Sequence, residues 1–202
     1  YHSLSFLYSE AEFKRQVGQH QETIENLFGV RPEVFRNTEL IYHNYIGQLA
    51  HEMGFKGVLT EAVERFLNGR PKTKVYASKT DQPLPLLLKH ALLSDDVAFR
   101  FSDKNWAWHP LTAERYLDWV EIYPQGEIIN LFMDFETFGE HQWADTGIFE
   151  FFKEFVYQFS ARDWDRFVTP SEVFNFYQSN NNKRLSNISK NNKIDQKVNN
   201  NI

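Results

Sequence analysis

Short apolar runs alternate along the chain with longer stretches in which apolar residues recur every three or four positions. The runs predict β-strands at 2–8, 33–36, 56–60, 74–77, 97–101 and 127–134. The longer stretches predict α-helices near 10–28, 43–53, 61–68, 84–93, 112–122 and 147–160. The helix at 10–28 has the clearest ends, because Ser9 and Glu12 form a capping-box pattern and Gly29 follows its last residue.

Strand-then-helix units repeat six times in about 160 residues, which predicts an α/β fold with a parallel sheet and helices outside it. A closed barrel and an open doubly wound sheet fit this pattern equally well. In both architectures, ligands bind at the carboxyl ends of the strands. The chemistry is therefore expected where the strands run into the following loops.

The last part of the chain has a different composition. Residues 179–202 contain nine Asn, four Lys and one Arg against a single Asp, and their apolar residues follow no helical or strand period. Such a composition cannot bury enough apolar surface to offset chain entropy. We predict a folded α/β domain at 1–176 and an Asn/Lys-rich disordered tail at 177–202; a basic tail for an acidic partner is the alternative.

Composition narrows the function classes. The chain of 202 residues has a formal net charge of −5, which argues against a nucleic-acid partner held by phosphate neutralisation. The absence of cysteine excludes disulfides and thiolate metal sites. No apolar run approaches the roughly 20 residues of a membrane span, so we expect no membrane partner. A cytoplasmic location is a separate expectation. Aromatic residues make up 16% of the chain, which favours a bulky core or a site that stacks flat ligands. The oligomeric state is left open.

Two carboxylates stand out because each follows a predicted strand. Glu39 comes just after the second strand, three residues beyond Arg36, and Asp134 ends the sixth strand. On a barrel, strands four places apart face each other across the mouth. A pair of carboxylates in this position suits glycoside cleavage, in which one attacks the anomeric carbon and the other protonates the leaving oxygen. Trp106 and Trp108, in the loop after the fifth predicted strand, offer flat faces for sugar rings.

Each of these residues also has a purely structural interpretation. Glu39 could form a salt bridge with Arg36 or start a helix, and Asp134 could cap the next turn. Trp106 and Trp108 could be core residues. For Glu136 the alternatives are sugar contact, orientation of Asp134 or an ion pair. His141 could cap or hydrogen-bond a loop instead of binding sugar. His2 is a weaker sugar-binding candidate near the first predicted strand, and Asp95-Asp96 is expected to form a solvated turn.

A metal site is the third interpretation of the acids, because Asp134, Glu136, Glu140 and His141 lie within eight positions and could serve a metal-dependent, deacetylase-like hydrolase. However, the chain has no H-E-x-x-H or comparable two-histidine spacing. Acids two apart on a strand also face opposite sides of the sheet. We therefore predict neither a metal ion nor a cofactor.

Two segments also resemble a known family. FRNTELIY (35–42) and MDFETFGEHQW (133–143) look like signature regions of glycoside hydrolase family 57, in its α-amylase branch. YHSLSFLYS (1–9), SDKNWAWHPLTAERY (102–116) and FSARDWDRFVTPSEV (159–173) are similar to the same branch. The resemblance covers roughly residues 1–174, and its two main motifs are far more specific than a lone short pattern.

The resemblance implies an incomplete seven-stranded β/α barrel, here truncated at both ends, because the family's His-Gln-Pro region, final signature region and helical domain are not in the sequence. It implies a retaining hydrolase of α-glucans such as starch or glycogen, with Glu39 as the nucleophile and Asp134 as the general acid/base. The expected substrate-binding residues are His2, Arg36, Trp106, Trp108, Glu136 and His141. The alternative is a non-catalytic carbohydrate-binding protein or an inactive fragment on the same scaffold.

The catalytic hypothesis has a geometric consequence. Retaining enzymes hold their two carboxyl groups about 5–5.5 Å apart, whereas inverting enzymes hold them roughly 6.5–9.5 Å apart. We therefore expect Glu39 and Asp134 to converge at the carboxyl face of the sheet, with Trp106 or Trp108 lining the same cleft.

Overall fold

The computed structural model describes residues 2–123, 126–163 and 165–179. The chain divides into two compact units, one ending at Phe167 and one beginning at Val168. The first unit contains a four-stranded sheet, in the order β1-β2-β4-β3. Its strands are β1 (Val34–Arg36), β2 (Gly57–Thr60), β3 (Tyr76–Ala77) and β4 (Pro85–Leu88).

The described part of the first unit also contains six α-helices. They are α1 (Glu10–Phe28), α2 (Asn44–Glu52), α3 (Glu64–Leu67), α4 (Ala91–Ala98), α5 (Ala113–Glu121) and α6 (Ile148–Ser160). Helix α1 begins and ends as predicted: the Ser9 hydroxyl accepts a hydrogen bond from Glu12 N, and Gly29 takes the left-handed conformation with φ 71°. None of the helices in the described part of the chain is long and apolar enough to cross a membrane.

The sheet is mixed rather than wholly parallel. Strand β2 pairs in parallel with β1 and with β4, so that Val58 lies beside Phe35 on one side and Leu86 on the other. Strand β3 pairs with β4 antiparallel. The α/β class is confirmed, and the described residues form an open four-stranded sheet rather than a closed barrel.

Two apolar clusters stabilise the first unit. One joins α1 and α2 to the strands, with Phe13, Phe35 and Ile46 among its buried members. The other lies among α4, α5 and α6 and includes Tyr116 and Phe155. In both clusters, apolar side chains of the helices are buried against neighbouring helices or strands. Such packed layers form the core of a domain.

Four predicted elements are wrong, one of them the strand at 127–134, where Asn130 makes only an isolated parallel bridge with Lys89. Residues 2–8 form no strand; Ser5–Leu7 is a 3-10 helix that buries only Phe6. The predicted helix at 84–93 is divided between β4 and the start of α4. This error has a physical reason, because a leucine run buried on both faces of a sheet shows no alternation and resembles a buried helix.

The predicted strand at 97–101 is helical in its first two residues, which end α4, and irregular beyond them. The Phe99 amide donates to Asp95 O at 2.9 Å, and Arg100 pairs with Asp96 at 2.5 Å, one helical turn apart. Asp95-Asp96 is therefore not a solvated turn: Asp96 is buried in α4, and its burial raises the pKa of its carboxyl while Arg100 opposes that rise.

The second unit is described as far as residue 179. Residues 170–179 are helical, and Thr169 and Glu172 form a capping box, in which Thr169 Oγ1 accepts from Glu172 N and a Glu172 carboxylate oxygen accepts from Thr169 N. Of the predicted tail, 180–202 lies outside the described residues. The predicted boundary near 176 stays a prediction.

His90 is the N-cap of α4 and is only 1% exposed. Its Nδ1 accepts from Leu93 N at 3.3 Å, which requires a neutral ring with the proton on Nε2. Burial lowers the pKa of His90, and the charge of Lys72 lowers it further, against a smaller opposing effect of Glu64. The imidazole is thus neutral in the folded protein under conditions in which an exposed histidine begins to ionise.

Stability is expected to depend on pH through His90. Because its folded-state pKa lies below the unfolded value of about 6.5, the unfolded chain binds the proton more readily. The free energy of unfolding should decrease as pH falls from about 7 toward the folded-state pKa. His90→Asn keeps a favourable cap and cannot titrate, so its urea-unfolding midpoint should decline less between pH 7 and 5. His20→Gln, at an exposed histidine, is the control; an equal decline in wild type and His90→Asn would contradict the assignment.

Candidate active site

The two candidate carboxylates follow parallel segments. Glu39 lies three residues after the end of β1, and Asp134 lies four residues after Asn130, which forms a parallel bridge with Lys89 just beyond β4. Parallel segments have their carboxyl ends at the same edge of a sheet. Both acids therefore leave the sheet at that edge, as the sequence predicts.

The position of Asn130 follows from the backbone hydrogen bonds. Lys89 N donates to Thr60 O of β2 at 2.9 Å, whereas the next amide, His90 N, donates to Asn130 O at 2.8 Å. Since successive amides of a strand point to opposite sides, Asn130 lies on the side of β4 away from β2. Two strands, β2 and β4, therefore separate β1 from the Asn130 segment. The sequence predicted that the segments before Glu39 and Asp134 lie four strands apart. This prediction is wrong, because β3 runs antiparallel and 97–101 is not a strand.

The backbone at Glu39 is unusual. Glu39 lies in the 3-10 helix Thr38–Leu40 with φ 51° and ψ 23°, and Leu40 also has a positive φ of 54°. Left-handed conformations cost non-glycine residues roughly 1–2 kcal/mol each. Two such residues in succession at a strand end persist only where the surrounding structure holds them.

Buried side chains hold this turn through hydrogen bonds to its main-chain oxygens. Leu40 is buried, and Leu40 O accepts a hydrogen bond from Thr60 Oγ1 at 3.2 Å. The buried Asn37 amide donates to Ile41 O at 3.1 Å, which closes the turn. The anchored turn leaves the Glu39 side chain exposed at the carboxyl end of β1.

Glu39 pairs with His2 rather than with Arg36. His2 Nε2 lies 2.8 Å from Glu39 Oε1, and both side chains are largely exposed. Although His2 does not end a strand, the structure brings it to Glu39. Its substrate-binding role stays a prediction. Arg36 is exposed on β1 and makes no ion pair with Glu39 within 4 Å. Glu39 and Arg36 therefore do not form the salt bridge that the sequence left open.

Asp134 also lacks the structural role considered for it. It precedes the 3-10 helix Phe135–Thr137, and its main-chain oxygen accepts from Thr137 N at 3.0 Å. Its side chain, however, makes no capping hydrogen bond, and the residue is exposed. The carboxylate is thus left available to a ligand.

The loop that follows Asp134 is anchored by its uncharged residues. Thr137 and Gln142 are buried, Gln142 N donates to Thr137 O, and the Gln142 side-chain amide donates to Ala98 O at 3.0 Å. Phe138 packs against Phe152 of α6, with ring centroids 4.9 Å apart. This anchoring explains how so many acids can follow an apolar segment: the acids occupy the exposed side of the loop.

The other charged residues of this loop, Glu136, Glu140 and His141, are exposed. Their backbone forms one tight turn, because Glu140 N and His141 N both donate to Glu136 O, at 3.2 and 2.9 Å. Within the described ranges, no group of three or more His, Asp or Glu side chains could hold a metal ion. The sugar-binding roles of Glu136 and His141 stay predictions.

The tryptophan loop follows helix α4 rather than a strand, so topology does not place it at the carboxyl edge of the sheet. Trp106 is partly buried and packs against the second apolar cluster, whereas Trp108 is 52% exposed. Both rings make edge-to-face contacts with Trp119 of α5, at 5.9 and 5.8 Å, and the Arg115 guanidinium lies 5.7 Å from the Trp108 ring. Trp108 is therefore the more exposed of the two rings, and its stacking role stays a prediction. Trp119, which contacts both rings, was not predicted.

Comparison with known proteins identifies the family of the chain. The sequence profile described as "Glycosyl hydrolase family 57" matches residues 1–189. A protein of Methanocaldococcus jannaschii, named "Putative alpha-amylase", is 42% identical over 174 residues. The aligned region is 86% of this chain but 37% of that relative, so the chain spans little more than a third of the relative's length.

The profile and the relative place the chain among the glycoside hydrolases. More specifically, the chain belongs to glycosyl hydrolase family 57, in its α-amylase branch. The resemblance carried by FRNTELIY and MDFETFGEHQW is confirmed at this level.

Proposed function

We propose that this protein is a retaining glycoside hydrolase that cleaves α-1,4-glucosidic bonds of starch-like or glycogen-like glucans. Glu39 is the nucleophile and Asp134 is the general acid/base. Family membership supports the hydrolase class, and the name of the similar Methanocaldococcus jannaschii protein supports α-glucan as the substrate.

The observation that carries the assignment is the backbone conformation of Glu39. A residue whose left-handed conformation costs free energy, in a turn anchored by buried contacts, with an exposed carboxylate at a strand end, is arranged for a purpose other than stability. Structural ion pairs do not need such a turn. An anchored turn is consistent with a nucleophile, because its reactive oxygen must stand in a fixed place relative to the sugar.

The proposed reaction has two displacements. A Glu39 carboxylate oxygen attacks the anomeric carbon while Asp134 donates its proton to the departing glycosidic oxygen, so that a glycosyl–enzyme ester forms as the glycosidic bond breaks. Asp134 then accepts a proton from water, and that water cleaves the ester. His2, at 2.8 Å from Glu39, orients the nucleophile. Arg36, Glu136 and His141 bind sugar hydroxyls. Trp108, which packs edge-to-face against Trp119 as Trp106 does, stacks on a sugar ring.

The architecture must also bring the two acids together. Three strand spacings, from β1 through β2 and β4 to the Asn130 segment, measure about 14 Å on a flat sheet. Carboxyl groups about 5–5.5 Å apart therefore require a curled sheet. We propose that the sheet is part of the incomplete seven-stranded barrel of the family, with both acids facing its mouth.

The stereochemical course tests this proposal. Proton NMR of the first product released from a malto-oligosaccharide should show the α-anomer before mutarotation, because two inversions give net retention. First release of the β-anomer would disprove the double-displacement mechanism.

A non-catalytic carbohydrate-binding role is the second candidate. It is favoured by exposed aromatic rings near the acids in sequence, since Phe135 is 93% and Trp143 65% exposed. Binding of malto-oligosaccharide by calorimetry, together with no product in the NMR experiment, would support this role over catalysis.

A further inference from the structure

The segment that leads to Asp134 is held mainly by side chains. It forms no named strand, and Asn130 makes a single parallel bridge with Lys89. A regular strand would fix this segment through a ladder of main-chain hydrogen bonds. Here, other groups must fix the backbone just before the proposed acid/base.

Ser94 of α4 is one of these groups. It is fully buried, with 0% of its surface exposed. Its hydroxyl accepts a hydrogen bond from Phe132 N at 2.9 Å and donates one to His90 O at 2.9 Å. The hydroxyl thus joins the main chain two residues before Asp134 to the N-terminus of α4, and its donor is fully used.

Asn130 supplies the second connection. Its buried side-chain amide donates to Leu88 O at 3.0 Å, and its main-chain oxygen accepts from His90 N at 2.8 Å. Together with the two bonds of Ser94, these contacts fasten residues 130–132 to the end of β4 and the first turn of α4. We call this set of four hydrogen bonds the Ser94 clamp.

We infer that Ser94 is a positioning residue that sets the place of the Asp134 carboxylate through the backbone at Phe132, with Asn130 in a supporting role. This inference rests on the proposed function of Asp134. Proton donation requires the acid within hydrogen-bond reach of the leaving oxygen. Displacement of a catalytic group by about 1 Å can cost on the order of 100-fold in rate. The clamp acts on the short stretch of chain that determines this distance.

The test compares substrates that need the acid with substrates that do not. Fluoride departs from α-maltosyl fluoride without proton donation, whereas a malto-oligosaccharide requires it. Ser94→Ala should lower kcat/KM for the oligosaccharide by about 10- to 100-fold and for the fluoride by less than about 3-fold. The ratio kcat/KM is the appropriate quantity, because it reports formation of the glycosyl–enzyme and not its hydrolysis.

Two further variants separate positioning from loss of stability. Ser78→Ala removes another buried serine hydroxyl, which accepts from Leu84 N at 2.8 Å in the turn between β3 and β4. It should lower the melting temperature comparably but leave the ratio of the two kcat/KM values at the wild-type level. Ser94→Thr keeps the hydroxyl and should restore most of the oligosaccharide activity. Equal losses on both substrates for Ser94→Ala would overturn the inference.

Asn130→Ala tests the clamp without changing α4, should Ser94→Ala not fold. It removes the bond to Leu88 O and should produce the same preference for the fluoride; an unchanged ratio in a folded Asn130→Ala protein would count against the clamp.

Asp134→Ala is measured in parallel. If Asp134→Ala prefers the fluoride and Ser94→Ala does not, the clamp is wrong and the proposed function stands. If Asp134→Ala itself shows no preference, the proposed role of Asp134 fails, and the inference fails with it.

Discussion

Replacing Glu39 with alanine is expected to lower kcat/KM for malto-oligosaccharide by on the order of 10⁴-fold or more. The physical reason is that no other group can take over the covalent step when the nucleophile is removed, so only binding and proton donation remain. Initial rates of reducing-end release measure the effect. The melting temperature of the variant should not fall, because the exposed carboxylate has no packing role and its ion pair with His2 is solvated.

Added azide gives a positive signal for the same variant. Azide can occupy the space left by the Glu39 carboxylate and displace fluoride from α-maltosyl fluoride directly, with one inversion. The product should be the β-glycosyl azide, identified by NMR.

The matched control is Glu33→Gln. Glu33 lies at the amino end of the strand that Glu39 follows, and its carboxylate pairs with Lys56 at 2.7 Å. This variant should keep wild-type turnover. Wild-type turnover by Glu39→Ala would show that the nucleophile has been assigned wrongly.

Replacing Asp134 with alanine is expected to lower kcat/KM for malto-oligosaccharide by about 10²- to 10⁴-fold, the usual contribution of a positioned general acid. The loss should be much smaller for α-maltosyl fluoride, whose leaving group needs no proton. The two rates are measured side by side on the same preparation.

Azide should again react, but with the opposite stereochemistry. In Asp134→Ala the glycosyl–enzyme still forms from the fluoride, and azide then attacks it in a second inversion, so the α-glycosyl azide is expected. Asp145→Asn, in the exposed 3-10 helix Ala144–Thr146, is the control and should behave as wild type. A β-azide from Asp134→Ala and an α-azide from Glu39→Ala would mean that the two roles are exchanged.

Local sequence signals predicted several elements correctly. Ser9 and Gly29 bound helix α1 because a cap and a left-handed glycine act through neighbours only a few residues away. Strands β1 and β2 and helices α2, α5 and α6 were also predicted, because the local pattern of apolar residues indicates them. The two motifs also identified the family, because their residues and spacing can be compared directly with those of relatives.

The errors concern segments whose structure depends on distant partners. The consecutive leucines of β4 point alternately to the two faces of the sheet and are all buried, and a sequence does not reveal that both faces are covered. Residues 97 and 98 joined α4 because a turn of helix with the Asp96–Arg100 pair outweighed the β-branched and aromatic residues around it.

The sequence by itself determined the α/β class, the family and the two carboxylates that each follow a parallel segment. Only the tertiary structure decided the conformation at Glu39, its pairing with His2 and the fastening of the Asp134 segment by Ser94. The reason is physical: Thr60 lies 20 residues from Leu40, and Ser94 lies 38 residues from Phe132. Hydrogen bonds of this kind exist only after the chain has folded, so no local pattern of residues records them.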